Sequence, residues 1–349
     1  MLRGSIVGCV AVEELPVDSR HEGHASAAPV ELLETATPEN FYGPGYILAN
    51  KDLARRKERG RFDERKHFRR NGRDEGRVQV LRAFLEDPVG FLADYRDAKF
   101  ERFGSLLSDQ GSNKPLGLSS FPVTVGDVHF SRNDYVTESA NRTPTYFESE
   151  LKKHPDGLFL DIGCGFRTRL FPNCLYHEVY SSLTADVVYQ AGVPLPFESG
   201  SLDGVGCFAV LEHVRRPWEL VDEIWRVLRP NGSVYIVYPF LQPYHGYPHH
   251  YFNATRQGLE SLFEQGFHID YIGTHPSETP DHTLNWILSG IVSAIEDRPL
   301  RNRVMDMSIR DLLTHSPGDA FYKDLVASMG EWSRQQFACA NSLRGRKFL

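Results

Sequence analysis

Between residues 158 and 238 the chain alternates short apolar runs with one strongly periodic stretch. Leu158-Phe159-Leu160-Asp161-Ile162 is a continuous apolar run, begun cleanly by the turn signal Asp156-Gly157, and predicts a buried strand. A second strand is expected to end at Glu178, and a third apolar strand spans 205 to 210. Leu211, Val214, Trp218, Val221, Ile224, Trp225 and Leu228 then recur at helical spacing, with Pro217 where a missing N–H is harmless. Asn231-Gly232 closes that helix and 233 to 238 is the next strand. Strand, loop, strand, helix, strand is the order of a parallel sheet with covering helices. Further on, 256 to 264 predicts a helix closed by Gly266, 267 to 273 a strand, about 280 to 330 a helical insertion, and 337 to 347 a terminal strand that completes the sheet.

Upstream the pattern is weaker. Residues 78 to 91 predict a helix, with Leu81, Phe84 and Leu85 ahead of Asp87-Pro88, and a second helix follows through Phe103. The stretch from 105 to 140 is rich in Ser, Gly and Asn, with an extended piece at 121 to 125. The division expected is a flexible leader over 1–40, a largely helical N-terminal cap or accessory region over 41–140, and a catalytic domain over 141–349.

Composition narrows the partners. A net charge of −7 argues against nucleic-acid binding by the molecule as a whole. Residues 51 to 82 nevertheless carry thirteen Lys and Arg against six Asp and Glu, which keeps an RNA or phosphate contact open beside the plainer reading of a solvated helical face. Five scattered cysteines without a C-x-x-C pair fit free thiols in a reducing compartment. No apolar run is long enough to span a membrane, and the stretch before Cys9 is too short for a signal peptide, so a cytoplasmic protein is expected.

The candidate chemistry begins where the first strand opens. In Asp161-Ile162-Gly163-Cys164-Gly165 the glycines let the main chain turn sharply and approach a ligand. Glu178, thirteen residues on, would end the second strand as a carboxylate able to accept from both hydroxyls of a ribose. After these come Leu195-Pro196-Phe197, Asp203, Leu211-Glu212-His213-Val214, Pro217-Trp218, Glu223 and Arg226-Val227-Leu228-Arg229-Pro230-Asn231-Gly232. This ordered series resembles the class I S-adenosylmethionine-dependent methyltransferases, in their small-molecule, type 11-like branch, over about residues 155 to 275. The resemblance implies a doubly wound α/β fold with a mostly parallel, seven-stranded Rossmann-like sheet, and S-adenosylmethionine as cofactor. It puts Asp161, Gly163, Cys164 and Gly165 at the methionine end, Glu178 at the ribose, and Leu211 in the same pocket. The position that usually carries an adenine-contacting Asp reads Gln190, which offers an amide oxygen but no charge. The usual long first helix is expected to be absent, because Pro172 interrupts it.

A loop after the strand expected at 233–238, 238 to 252, carries His245, Tyr247, His249 and His250 among aromatic and turn residues. Such a loop faces the cofactor crevice. With no acid among them and no known ligand spacing, these histidines read as a substrate wall with one base rather than a metal site. His213, which the resemblance places near the methyl group, His245, Tyr247 and His249 are the candidate bases. The reading is methyl transfer to an O, N or C nucleophile of a small molecule. A catalytically silent cofactor-binding or interaction protein is the alternative, and an NAD-dependent oxidoreductase stands further off.

Overall fold

The structure, a computed structural model, describes residues 28–339 apart from 59, 61, 110–113, 116–118, 127–139, 190–193, 247–248 and 276–277. Six strands form one sheet: β1 (Val123–Val125), β2 (Phe159–Ile162), β3 (Cys174–Glu178), β4 (Val187–Tyr189), β5 (Leu202–Phe208) and β6 (Leu228–Val237). They lie in the order β6-β5-β2-β3-β4-β1 and every pairing is parallel. Parallel strands are covered on both faces, so their side chains are apolar in both directions. Leu160, Ile162, Leu175, Val187 and Val205 face one core; Phe159, Cys174, Tyr176 and Val188 face the other.

Helix α1 (Ala93–Phe103) precedes the sheet, α2 (Thr145–Lys153) leads into β2, and α3 (Pro217–Val227) joins β5 to β6. Val221, Ile224 and Val227 of α3 fill the first core, and Phe147 and Leu151 of α2 fill the second. Helix α4 (Arg256–Phe263) packs Phe263 beside α3. The chain leaves β2 towards β3 and β4 and returns on the other side through β5, so the sheet order reverses at β2. In such sheets the crevice beyond the strand ends at that reversal is the ligand site.

Charge is buried where α1 meets the sheet. The Lys99 ammonium, fully enclosed, bonds the Asp186 carboxylate just before β4, and Asp186 also accepts from the Tyr176 N–H at 3.0 Å. A buried charge without such a partner would cost several kcal/mol, so this pair fixes the position of α1.

Three expectations change. The piece at 121 to 125, assigned to a cap, supplies β1 at the sheet edge, where Val123 to Val125 pair with Val187 to Tyr189. The helix expected over 78–91 opens instead with a strand, Val78–Val80, because Leu33–Thr35 offers it an antiparallel partner. No strand forms at 267–273: with no neighbouring strand the segment runs over the surface, leaving His268 and Tyr271 exposed. The sheet among the described residues thus has six strands where seven were expected. Of the terminal strand expected at 337–347, the described part, 337–339, is a turn and not a strand; the remainder lies outside the described residues, as does the leader before residue 28. Helices α5 (Pro280–Ala294), α6 (Arg298–Asp306), α7 (Ile309–Thr314), α8 (Ala320–Ala327) and α9 (Glu331–Gln336) occupy the region expected to be helical.

The basic run at 51–82 is partly neutralised by its own acids. Arg77 pairs with Asp52 at 2.7 Å and Glu75 at 2.5 Å, Arg73 with Asp74, and Lys57 with Glu64. No helix is long and apolar enough to cross a membrane among the described residues.

Candidate functional site

The turn after β2 is held to the end of β3 by its own amides. Gly163 and Gly165 take φ values of 66° and 59°, left-handed backbone that glycine adopts without strain. The Cys164 N–H donates to the His177 carbonyl at 3.0 Å, and the Gly165 N–H to Glu178 Oε1 at 3.0 Å. Glu178 Oε2 accepts from the Val179 N–H at 2.7 Å, and Ser182 Oγ donates to the Gly165 carbonyl at 2.7 Å. Glycine turn and strand-end acid are therefore in register.

The two glycines do different work. A Cβ on Gly163 would lie 2.3 Å from Val210 Cγ2, so this glycine lets the β2 turn close on the turn after β5. A Cβ on Gly165 would meet nothing nearer than Asn141 Nδ2 at 3.5 Å. That side of the turn is open. Cys164 is buried and burial pushes its thiol well above the ordinary range, so it offers backbone rather than sulfur chemistry. Leu211 is fully buried in the sheet core.

No helix follows the glycine turn. Phe166–Arg167 pairs in parallel with Ala140–Asn141, and Arg169–Leu170 pairs antiparallel with Val30–Glu31. Main-chain bonds in this crossover thus go to N-terminal segments, and the turn lacks the helix N-terminus that usually stands beside it. Arg167 folds back instead. Its Nε and Nη2 donate to the two Asp161 carboxylate oxygens at 2.7 and 3.0 Å, with both side chains buried. Asp161 is thereby an anchor for Arg167. The arginine was not among the expected site residues; Phe166-Arg167-Thr168-Arg169 signalled only that the usual pattern is broken.

On the other side of the crevice, beyond β5, a single 3₁₀ turn (Leu211–His213) carries a second constellation. Glu212 is completely enclosed, and neither carboxylate oxygen has a hydrogen-bond partner among the described residues. Burial pushes its acid up to about 8. His213 Nε2 stands 3.7 Å from Glu212 Oε1 and His245 Nε2 3.9 Å from the same oxygen. Burial lowers both imidazoles, His245 to about 4. Their other nitrogens are committed: His213 Nδ1 donates to the His249 carbonyl at 2.7 Å and His245 Nδ1 to the Pro243 carbonyl at 2.8 Å.

The loop that brings His245 here is locked from several sides. The Glu212 carbonyl accepts from the Tyr251 N–H at 2.6 Å. His250 accepts from the His245 N–H through Nδ1 and donates to Asn253 Oδ1 through Nε2, so neither nitrogen is spare. Gly246, at φ 81°, lies where a Cβ would be 2.3 Å from the His213 ring. From the C-terminal helices, Trp286 of α5 packs on His245 with ring centroids 5.0 Å apart, and Trp332 of α9 on Tyr244 at 5.1 Å. Of the expected bases, His213 and His245 come together; His249 contributes its carbonyl and leaves its side chain exposed. Tyr247 and Gln190 lie outside the described residues. Glu212, absent from the expected site residues although its motif was noted, is the member that joins the two histidines. Its only signal was adjacency to His213, since its burial depends on a loop thirty residues away.

Residues 177–236 match the family model described as a methyltransferase domain. An uncharacterized methyltransferase of Mycobacterium avium is 37% identical over 92 residues, which are 25% of this chain and 36% of that protein. One from Mycobacterium leprae is 31% identical over 108 residues, 29% of this chain and 40% of the relative. The chain thus spans about a third of the length of the curated relatives it matches. Among solved structures, the YcgJ protein of Bacillus subtilis aligns at 17% identity and a TM-score of 0.24, over 32% of this chain and 61% of that one. Phosphoethanolamine N-methyltransferase 2 of Haemonchus contortus, in complex with S-adenosyl-L-methionine, aligns at 17% identity and a TM-score of 0.26, over 72% and 57%. The matched segment runs from the acid-bearing strand β3 into β6, through the turn that carries Glu212 and His213.

Proposed function

We propose that the protein moves a methyl group from S-adenosylmethionine to an oxygen, nitrogen or carbon nucleophile of a small molecule. The observation that carries this reading is the hydrogen bond from the Gly165 amide to Glu178, which joins the open turn and the strand-end carboxylate at the sheet's reversal point. The residues present fit the donor: the outer side of Gly165 is clear, and the strand-end carboxylate of Glu178, a group that accepts from hydroxyls, stands beside that turn. Glu178 would hold the ribose and the main chain of 163–165 would lie along the methionine end. Asp161 would act at one remove, by holding Arg167.

When bound, S-adenosylmethionine supplies a methyl group on a sulfonium that departs as a neutral thioether. The protein's share is alignment, exclusion of water and care of the acceptor's proton. Glu212, His213 and His245 stand beyond β5, next to Val210 against which the glycine turn closes, and so border the same crevice. The proton would leave the acceptor towards this cluster. The likeness in sequence supports an enzyme on small molecules, which we place in the cytoplasm.

Calorimetric titration with S-adenosylmethionine and with NAD tests the donor. Saturable heat with the former, lost in a folded Glu178→Ala variant, is the expected result; heat with NAD alone would overturn the reading. Release of S-adenosylhomocysteine across small-molecule fractions then separates an enzyme from a silent binder. Binding without release from any fraction would favour the silent protein.

A further inference from the structure

We infer that Glu212, His213 and His245 form a binding site for a divalent transition-metal cation of the zinc class. Each histidine spends its Nδ1 hydrogen on a main-chain carbonyl, His249 for one and Pro243 for the other. In the neutral ring that leaves Nε2 as a bare lone pair. Both lone pairs face Glu212, whose two oxygens are enclosed and unpartnered among the described residues. Three electron-rich donors thus share one small space, their ligand atoms all within 4.8 Å of one another. Buried polar groups without partners are rare and costly.

A shared proton does not resolve this arrangement. The separations of 3.7 and 3.9 Å exceed a hydrogen bond. They lie close to the edges of a coordination polyhedron: donors about 2.0–2.2 Å from a metal and spread by tetrahedral to trigonal angles stand roughly 3.3–3.7 Å apart. The carbonyl contacts on Nδ1 are the outer partners that metal-bound histidines ordinarily have, fixing tautomer and ring plane. Two imidazoles with one carboxylate suit zinc and its neighbours rather than magnesium or calcium, which prefer all-oxygen shells. Three protein ligands leave a position for water or an oxygen of a bound small molecule. His213 and His245, both partly exposed, form the open side; Glu212 forms the floor.

The inference does not depend on methyl transfer and is tested without the donor. Full-length protein, stripped with a chelator and dialysed, is titrated with Co²⁺ while visible d–d absorption is followed. One equivalent should produce bands that one equivalent of Zn²⁺ removes. His245→Gln, at a partly exposed position, should weaken Co²⁺ binding at least tenfold with the fold intact by circular dichroism; Glu212→Gln should do the same if it folds. His268→Asn, at an exposed histidine elsewhere, should leave the bands unchanged. Wild-type protein without saturable bands, or bands that persist at full affinity in His245→Gln, would overturn the site. Titration of the stripped protein with S-adenosylmethionine is the separate arm: donor heat without cobalt bands sinks only the metal site, and cobalt bands without donor heat sink only the proposed activity.

Discussion

Gly163 and Gly165 look interchangeable in a sequence, yet their surroundings assign them different costs. Alanine at either position adopts a left-handed backbone at about 1–2 kcal/mol. At Gly163 it must also displace Val210, whose Cγ2 would be 2.3 Å away, and overpacking of that kind adds about 1–3 kcal/mol. Gly165→Ala should therefore lose little stability but weaken S-adenosylmethionine binding, while Gly163→Ala should shift the urea midpoint by the larger amount. Equal midpoints would contradict the packing role of Val210. His177 gives a second test. It is buried on the inner side of the Glu178 strand, with neither ring nitrogen hydrogen-bonded among the described residues, and burial lowers it to about 4. Above pH 6.5 the ring is neutral folded or unfolded and contributes no pH dependence. As pH falls from 6.5 towards 4 the unfolded chain takes up a proton that the fold refuses, and stability drops by up to about 3 kcal/mol. His177→Leu should flatten that acid limb at little cost near neutrality. An unchanged limb in urea titrations from pH 7 to 4 would show that other groups set it.

The elements that position the site were legible where local pattern and tertiary outcome agree. The strand into Gly163 and the helix from Pro217 follow from apolar runs and turn residues within a few positions, whereas Asn231-Gly232, expected to separate helix from strand, lies inside β6, which already begins at Leu228. The strand expected at 267–273 has the right alternation, in Phe267, Ile269 and Tyr271, but alternation cannot supply a neighbour, and without one the segment stays irregular. The absence of the first helix was readable from Pro172; what replaces it was not, because Ala140–Asn141 and Val30–Glu31 come from far up the chain. The Asp161–Arg167 pair belongs to this replacement. Removing one partner leaves a buried charge bare, so Arg167→Met should cost about 3–5 kcal/mol, whereas Arg167→Met with Asp161→Leu should recover much of it. A double-mutant cycle by urea unfolding checks the coupling, and additive losses would mean that the two side chains act separately.

At the scale of the molecule, the C-terminal helices bear on the crevice through the histidine loop. Trp286 of α5 lies against His245, Trp332 of α9 against Tyr244, and the Tyr244 N–H donates to the Gln336 carbonyl at 3.2 Å. None of this could be read from the sequence, since the loop and helices are separated by tens of residues and no periodicity links them. The contacts are few and their ring faces partly exposed, whereas the sheet is bonded along its full length. Local opening is easiest where buried apolar contacts are scarce. The loop should then owe its order to the helices, and the helices should not owe theirs to the loop. Trp286→Ala, which removes the ring but leaves the Tyr244 anchor, should raise amide hydrogen exchange across 242–253 severalfold and leave β2, β3 and β5 unchanged. The same variant should weaken cobalt binding, because His245 would no longer be held with its Nε2 towards Glu212. Exchange that rises equally in the sheet would make Trp286 a general stabiliser of the fold, and exchange that does not rise at all would show the loop to be ordered by its own hydrogen bonds alone.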